Sequence, residues 1–371
     1  MSIITFVILF AGLVLLVVGA EFLVNGASKV AGILGISPLI IGLTVVAYGT
    51  SAPEMAVSVM SSFSGQADIA VGNAIGSNII NTLLILGISS LITPLVVAQQ
   101  IIRSDVPIAF GITVLLYVFS LDGLISRVDG IILFTGAVVY TLSLIFQSRR
   151  QIANRNNSET GGDENGEDEF DHEYGFDGNR STMVWVKNLA FIIGGSVLLV
   201  SGSRMLVTSA TTIARSLGVS ELLIGLTVVS IGTSLPELAT SVMASIRGER
   251  DIAVGNVLGS NIFNILAVLG MAGILSPQGV AVSEAAIKFN MPVAIAVSFA
   301  CLPIFASGNR IDRWEGFLFT FYYGAYTIYL ILDALNHQTL PIYNTVMLAF
   351  VIPLTIITLV TVALQEKRAR R

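Results

Sequence analysis

The chain reads as an all-α membrane protein: two inverted five-helix repeats form a ten-helix core, with an eleventh helix at the C-terminal end. Three observations predict this. Of 371 residues, 54% are hydrophobic and 12% are charged, and mean hydropathy is +0.84. A soluble protein of that length needs far more charge to cover its surface. Apolar stretches recur along the chain at about the 20 residues a helix needs to cross a bilayer. Finally, one segment occurs twice. Residues 41–87 and 224–270 align without a gap at an offset of 183, and 31 of 47 positions are identical.

The hydrophobic stretches predict helices near 3–24, 38–62, 68–93, 106–121, 128–147, 184–206, 221–246, 251–275, 289–306, 314–333 and 342–364. The likeness begins upstream of its best-matched part, since Gly19, Leu23, Val24, Leu34, Gly35 and Ser37 recur as Gly202, Leu206, Val207, Leu217, Gly218 and Ser220. Helices 1–5 therefore correspond to helices 6–10. An odd number of crossings per repeat sets the two repeats in opposite senses, the inverted design of many secondary transporters, with the site between repeats near the midplane. The expected organisation is a first repeat over 1–147, an acidic linker over 148–182, a second repeat over 183–333, and an extra helix with a basic tail over 334–371.

Charge sets the expected orientation. With the N-terminus outside, 15 of the 19 Lys and Arg residues fall on the cytoplasmic side and four, Arg127, Arg204, Arg215 and Lys288, outside. That bias obeys the positive-inside rule and places a multi-pass protein in the cytoplasmic membrane, with linker and C-terminus inside. The linker holds nine of the 24 acids between Glu159 and Asp177, a composition that predicts disorder. Its DENGEDEFD run lacks the ligand spacing of an EF-hand. The single cysteine, Cys301, excludes an intrachain disulfide and reads as a core residue. The two histidines, His172 and His337, fall in predicted loops, which argues against a histidine-based zinc pathway. The apolar N-terminus lacks a basic leader and reads as a first membrane helix.

The repeated segment carries the chemistry. In GTSAPE, Gly49 to Glu54, Pro53 has no N–H and crowds the carbonyl one turn back, so the helix should kink or break near Gly49. Carbonyls freed there can serve as ligands where they line a cavity. Thr50 and Glu54 are one turn apart on one face, with Ser51 adjacent. GTSLPE repeats the set with Thr233, Ser234 and Glu237. Carboxylate, hydroxyl and carbonyl oxygens are what hard cations such as Na⁺ and Ca²⁺ take. Hydroxyls alone often bond back to their own helix. A carboxylate at mid-membrane is different, since each costs ~2.5–3.5 kcal/mol on insertion scales.

In GNAIGSNIIN and GNVLGSNIFN, Asn73, Ser77 and Asn81 form one helical stripe, as do Asn256, Ser260 and Asn264. Ser77, Asn81, Ser260 and Asn264 are the members best placed to meet the glutamates. For Asn73, Asn78 and their copies, hydrogen bonds between helices are an equal alternative. Asp68 and Asp251 open their helices as N-caps, and Glu21 snorkels at the cytoplasmic interface.

With GTSxPE followed by GNxxGSN in both halves, the sequence resembles the cation/calcium exchanger superfamily, in particular prokaryotic sodium/calcium exchangers, over helices 1–10. The resemblance implies a core in which helices 2, 3, 7 and 8 surround the ions. It implies Glu54 and Glu237 as ligands shared by Ca²⁺ and Na⁺, with Thr50 and Thr233 at the calcium site. Ser51, Ser77, Ser234, Ser260 and the carbonyls of Ala47 and Ser230 correspond to sodium ligands. Two departures stand out. Helix 11 lies outside the ten-helix core, and Asn81 and Asn264 are both amides where some branches, notably the potassium-dependent exchangers, carry aspartate in one or both positions.

The expected function is therefore antiport of Ca²⁺ against Na⁺, with both ions competing for a site on two glutamates. A Ca²⁺/H⁺ antiporter is the alternative within that class, and a cation channel the alternative outside it. The helices hold no His-rich or Ser/His arrangement, so no enzymatic activity is expected. No cofactor, nucleic acid or obligate protein partner is implied; the partners are the ions and the bilayer.

Overall fold

The structure, a computed structural model, describes residues 3–64, 67–159, 182–358 and 360. Among these, nine helices are long and apolar enough to cross a membrane, and a bent pair, Pro38–Thr50 and Ala52–Phe63, supplies a further crossing with a 47° break. These are helix 1 (Ile3–Leu34), helix 2 as halves 2a and 2b of the bent pair, helix 3 (Ile69–Ile92), helix 4 (Ile101–Phe119) and helix 5 (Arg127–Glu159). Helix 6 (Thr182–Ser216) opens the second repeat. Helix 7 has halves 7a (221–233) and 7b (Leu235–Ile246), and helices 8 to 11 are Arg250–Leu275, Ala286–Ala306, Arg313–Ala334 and Leu340–Thr358. The all-α, multi-pass membrane fold is as the composition requires.

The inversion is visible in contacts that recur with the repeats exchanged. Helices 1 and 6 run antiparallel at backbone contact. A methyl added at Gly12 would meet the Gly202 carbonyl at 2.9 Å, and one at Gly19 the Gly195 carbonyl at 2.8 Å. Two short antiparallel ladders repeat the same exchange: β1 (Leu95–Val96) pairs with β4 (Arg310–Ile311), and β2 (Leu124–Ile125) with β3 (Val280–Ala281). Each joins loops of opposite repeats and satisfies backbone groups that the helices leave unpaired.

Burial is concentrated where the repeated segments lie. Helix 8 is the most enclosed crossing, with 89% of its apolar window buried, and helix 3 follows at 72%. The outer helices turn their apolar faces outward, as lipid contact demands. Helix 11 has no buried residue. It touches helix 10 through Tyr343 Oη donating to the Ala325 carbonyl at 2.7 Å and Tyr322 Oη to Thr355 Oγ1 at 2.7 Å.

Several expectations are corrected. Helices 1, 5 and 6 run on beyond their apolar windows, helix 1 because Ala27, Val30 and Ala31 remain buried. Helix 5 continues to Glu159, so the start of the expected linker is helical; residues 160–181 lie outside the described residues. The N-cap of helix 8 is Glu249, which leaves Asp251 in the first turn; the side chain of Asp68 lies outside the described residues. Glu21 does more than snorkel: it pairs with Arg247 on the turn after helix 7 and accepts from Asn25 at 2.7 Å. Cys301 is buried as expected.

Candidate functional site

The break in helix 2 falls at Ser51 (φ −84°, ψ 10°), and that in helix 7 at Ser234 (φ −88°, ψ 8°). Each lies two residues beyond the carbonyl that proline releases, that of Gly49 or Gly232. In the second repeat that carbonyl, of Gly232, accepts from Ser203 Oγ on helix 6 at 2.6 Å. Each broken helix also contains a π-helical turn, at Gly42–Val46 and Gly225–Val229, and helices 3 and 8 have their own at Ile80–Ile85 and Asn264–Leu269. Such turns are frequent at functional sites. Proline in the first turn of 2b and 7b restarts the helix and sets Glu54 and Glu237 in that first turn.

Both glutamates have 0% exposure, and they act on each other electrostatically. Neither forms an ion pair among the described residues. Ser51 Oγ donates to Glu237 Oε1 at 2.9 Å, so a hydroxyl of one repeat reaches the carboxylate of the other. Ser77 lies beside Glu54 and accepts from Ser234 Oγ at 3.2 Å. Both oxygens of Glu54, Oε2 of Glu237, Oγ of Ser260 and the Oδ1 atoms of Asn81 and Asn264 are buried without a hydrogen-bond partner among the described residues. Buried polar atoms are rarely left so. Here they are all oxygens, and among them they carry the two negative charges.

The expected residues thus converge, with differences. The Ala47 carbonyl accepts the Ser51 N–H at 3.0 Å and the Thr50 hydroxyl at 3.3 Å, so the break does not release it. The Ser234 N–H goes to the Ile231 carbonyl at 3.1 Å, and the Thr233 hydroxyl lies 3.5 Å from the Ser230 carbonyl. Thr50 also donates to Asn256 Oδ1 at 3.1 Å. Asn73 and Asn256 resolve as ties between helices: Asn73 Nδ2 donates to the Glu54 carbonyl and Ser58 Oγ, and Asn256 Nδ2 to the Glu237 carbonyl and Ser241 Oγ. Ser58 and Ser241 were not singled out by the sequence, although each lies one helical turn beyond its glutamate. No cluster of three or more His, Cys, Asp or Glu occurs among the described residues.

The two halves differ in closure. Against helix 8, half 2a is in backbone contact: a methyl at Gly42, Gly255 or Gly259 would lie 3.0, 2.9 or 2.7 Å from a carbonyl oxygen across the interface. At the equivalent Gly225, Gly72 and Gly76 it would meet nothing within 4 Å. A crevice therefore separates 7a from helix 3, and Thr233 is half-buried where Thr50 is 1% exposed.

Two buried carboxylates from inverted repeats, joined across the interface by a serine of a broken helix, match a known group of proteins. Residues 4–146 and 187–332 fit the family described as "Sodium/calcium exchanger protein". The chain belongs to that family. Among curated proteins it is 39% identical to the putative antiporter CaxA of Alkalimonas amylolytica, over 82% of this chain and 92% of that one. It is 34% identical to the sodium/calcium exchanger MaX1 of Methanosarcina acetivorans, over 88% and 98%. Among solved structures, the sodium-calcium exchanger NCX_Mj soaked with zero Na⁺ and Ca²⁺ superposes with a TM-score of 0.72 at 29% identity, covering 87% of this chain and 97% of that one. Helix 11 lies beyond the residues the family matches.

Proposed function

We propose that the protein is an antiporter that exchanges Ca²⁺ for Na⁺ across the cytoplasmic membrane, with both ions competing for the site on Glu54 and Glu237. The observation that carries this is the pair of fully buried carboxylates without a basic partner among the described residues. Two unneutralised charges in a poorly solvated interior are strongly unfavourable, and one Ca²⁺ or two Na⁺ offset them. The bare oxygens of Ser260, Asn81 and Asn264, with Thr50, Thr233, Ser51, Ser77, Ser234 and the Ala47 and Ser230 carbonyls, complete an all-oxygen donor set suited to hard cations. Sodium as the coupling ion is supported by the relatives named as sodium/calcium exchangers.

Exchange follows if the site opens to one side at a time and the gates rearrange only when it is filled. The open 7a crevice and the closed 2a contact support such alternation, since each half holds the arrangement the other lacks. With the N-terminus outside, the orientation that the positive-inside bias supports, the crevice faces outward. The test is Glu54→Gln and Glu237→Gln in purified, reconstituted protein. The amide keeps the shape and removes one charge, so each variant should fold and lose Ca²⁺ exchange. Wild-type exchange in either would remove that glutamate from the site.

A further inference from the structure

Asn78 and Asn261 do not lie on the stripe that faces the glutamates, yet they touch the two amides that do. Asn81 Nδ2 donates to Asn261 Oδ1 at 3.1 Å, and Asn264 Nδ2 donates to Asn78 Oδ1 at 3.1 Å. Each site amide thereby spends its nitrogen on the opposite repeat, and its oxygen is left bare. An amide can be turned end for end at little steric cost, so what holds it is the donor or acceptor character of its neighbours.

Those neighbours leave one arrangement. Thr82 Oγ1 lies 3.0 Å from the Asn78 carbonyl, which only accepts, so the hydroxyl proton is spent there. Toward Asn261 the same oxygen can then only accept, and it takes Asn261 Nδ2 at 2.9 Å. Oδ1 of Asn261 must therefore face Asn81, which must answer with its NH₂. On the other side Asn78 Nδ2 meets the Asn261 main-chain carbonyl at 3.0 Å, so its Oδ1 must face Asn264. Within this network the repeats differ at one position: the counterpart of Thr82 is Ile265, which has no hydroxyl. Asn78 reaches the backbone directly, whereas Asn261 reaches it through Thr82. All of these side chains are buried.

We propose that Asn78, Asn261 and Thr82 are positioning residues that fix the orientation of Asn81 and Asn264, so that both amides present oxygen to the transported cation. This rests on the proposed site, in which those two amides are ligands. A reversed amide would point its N–H hydrogens at the ion, replacing an attraction with a repulsion.

The experiment uses Thr82→Val, which keeps the shape and deletes the acceptor, and Thr82→Ser, which restores it. Ca²⁺ affinity is read as KM of exchange in proteoliposomes and as Kd by calorimetry, with the melting temperature measured alongside. Loss of one oriented buried group predicts an affinity roughly tenfold weaker in Thr82→Val and recovered in Thr82→Ser. The relay runs from Thr82 through Asn261 to Asn81 only. The valine should therefore add nothing on an Asn81→Ala background and keep its effect on Asn264→Ala. A purely structural threonine gives equal increments on both backgrounds, or a lower melting temperature at unchanged affinity, and either result overturns the proposal. Wild-type Ca²⁺ affinity in Asn81→Ala removes that residue from the ligand set and the relay's purpose with it, which separates failure of the site from failure of the relay.

Discussion

Alanine at the two sets of symmetry-related glycines should push the protein in opposite directions. At Gly259 the new methyl would sit 2.7 Å from the Leu43 carbonyl, 2.8 Å from Ala47 Cβ and 2.9 Å from Leu43 Cα. Ordinary carbon contacts lie at about 3.5–4.0 Å, so helix 8 and half 2a would have to part by nearly 1 Å. Overpacking of this kind costs about 1–3 kcal/mol, and the cost falls on the conformation described above. At Gly76 the methyl meets nothing in this conformation. It would meet backbone in the opposite one, where 7a closes on helix 3 as 2a now closes on helix 8.

Gly76→Ala should therefore hold the protein in the present state and Gly259→Ala should expel it. A penalty of about 1–3 kcal/mol corresponds to a population shift of roughly 5- to 150-fold. Turnover must pass through both states, so it should fall in both variants. Hydrogen exchange read by mass spectrometry separates them. In wild type the amides of 225–233 should exchange faster than those of 42–50. The contrast should widen in Gly76→Ala and shrink or reverse in Gly259→Ala. A shift of the same sign in both variants, or wild-type turnover in both, would refute the two-gate reasoning.

Two further outcomes concern the ends of the core. Removing the chain after Asn336 deletes helix 11, which buries no residue and lies outside the family match; reconstituted exchange should persist, since helix 11 supplies none of the proposed ligands. Deleting 160–177, which falls between the two matched segments, should leave basal exchange intact in a vesicle assay, and loss of transport in a well-expressed deletion would assign the acidic segment a part in gating.

Much of this architecture was legible because membrane insertion and duplication leave strong marks. Hydropathy gave the crossings, the offset of 183 gave the duplication, the odd number of crossings per repeat gave the inversion, and Pro53 and Pro236 gave the breaks to within about a turn. The ends of helices 1 and 6 were not legible. Beyond the apolar windows the chain turns polar or small, over 25–29 and 208–212, and helix packing rather than hydropathy keeps Ser28 and Ala31 helical and buried. The π-helical turns left no mark, since Gly42–Val46 reads as ordinary apolar helix. Within the site, Glu54, Glu237 and their hydroxyl neighbours followed from residue type and spacing. Asn78 and Asn261 were expected as possible ties between helices, and they are such ties; their contact with the site amides was not expected, because a stripe drawn at every fourth residue passes them by. The signal for that contact is their place three residues before Asn81 and Asn264, on the adjoining face that meets the other repeat. The asymmetry of the gates could not be read at all. Gly42, Gly72 and Gly76 recur identically as Gly225, Gly255 and Gly259, so the sequence encodes both closed interfaces and not which one is made.

The central claim, exchange of calcium for sodium, is tested most directly by ⁴⁵Ca²⁺ uptake into vesicles carrying the purified protein, under separately imposed Na⁺, K⁺ and H⁺ gradients. A two-carboxylate site that takes either ion but not both predicts Ca²⁺ uptake driven by an outward Na⁺ gradient, abolished when internal Na⁺ is absent, and unresponsive to K⁺ or proton gradients imposed alone. Uptake that follows the proton gradient without Na⁺ would contradict sodium coupling. Ca²⁺ flux independent of every counter-ion would contradict antiport itself.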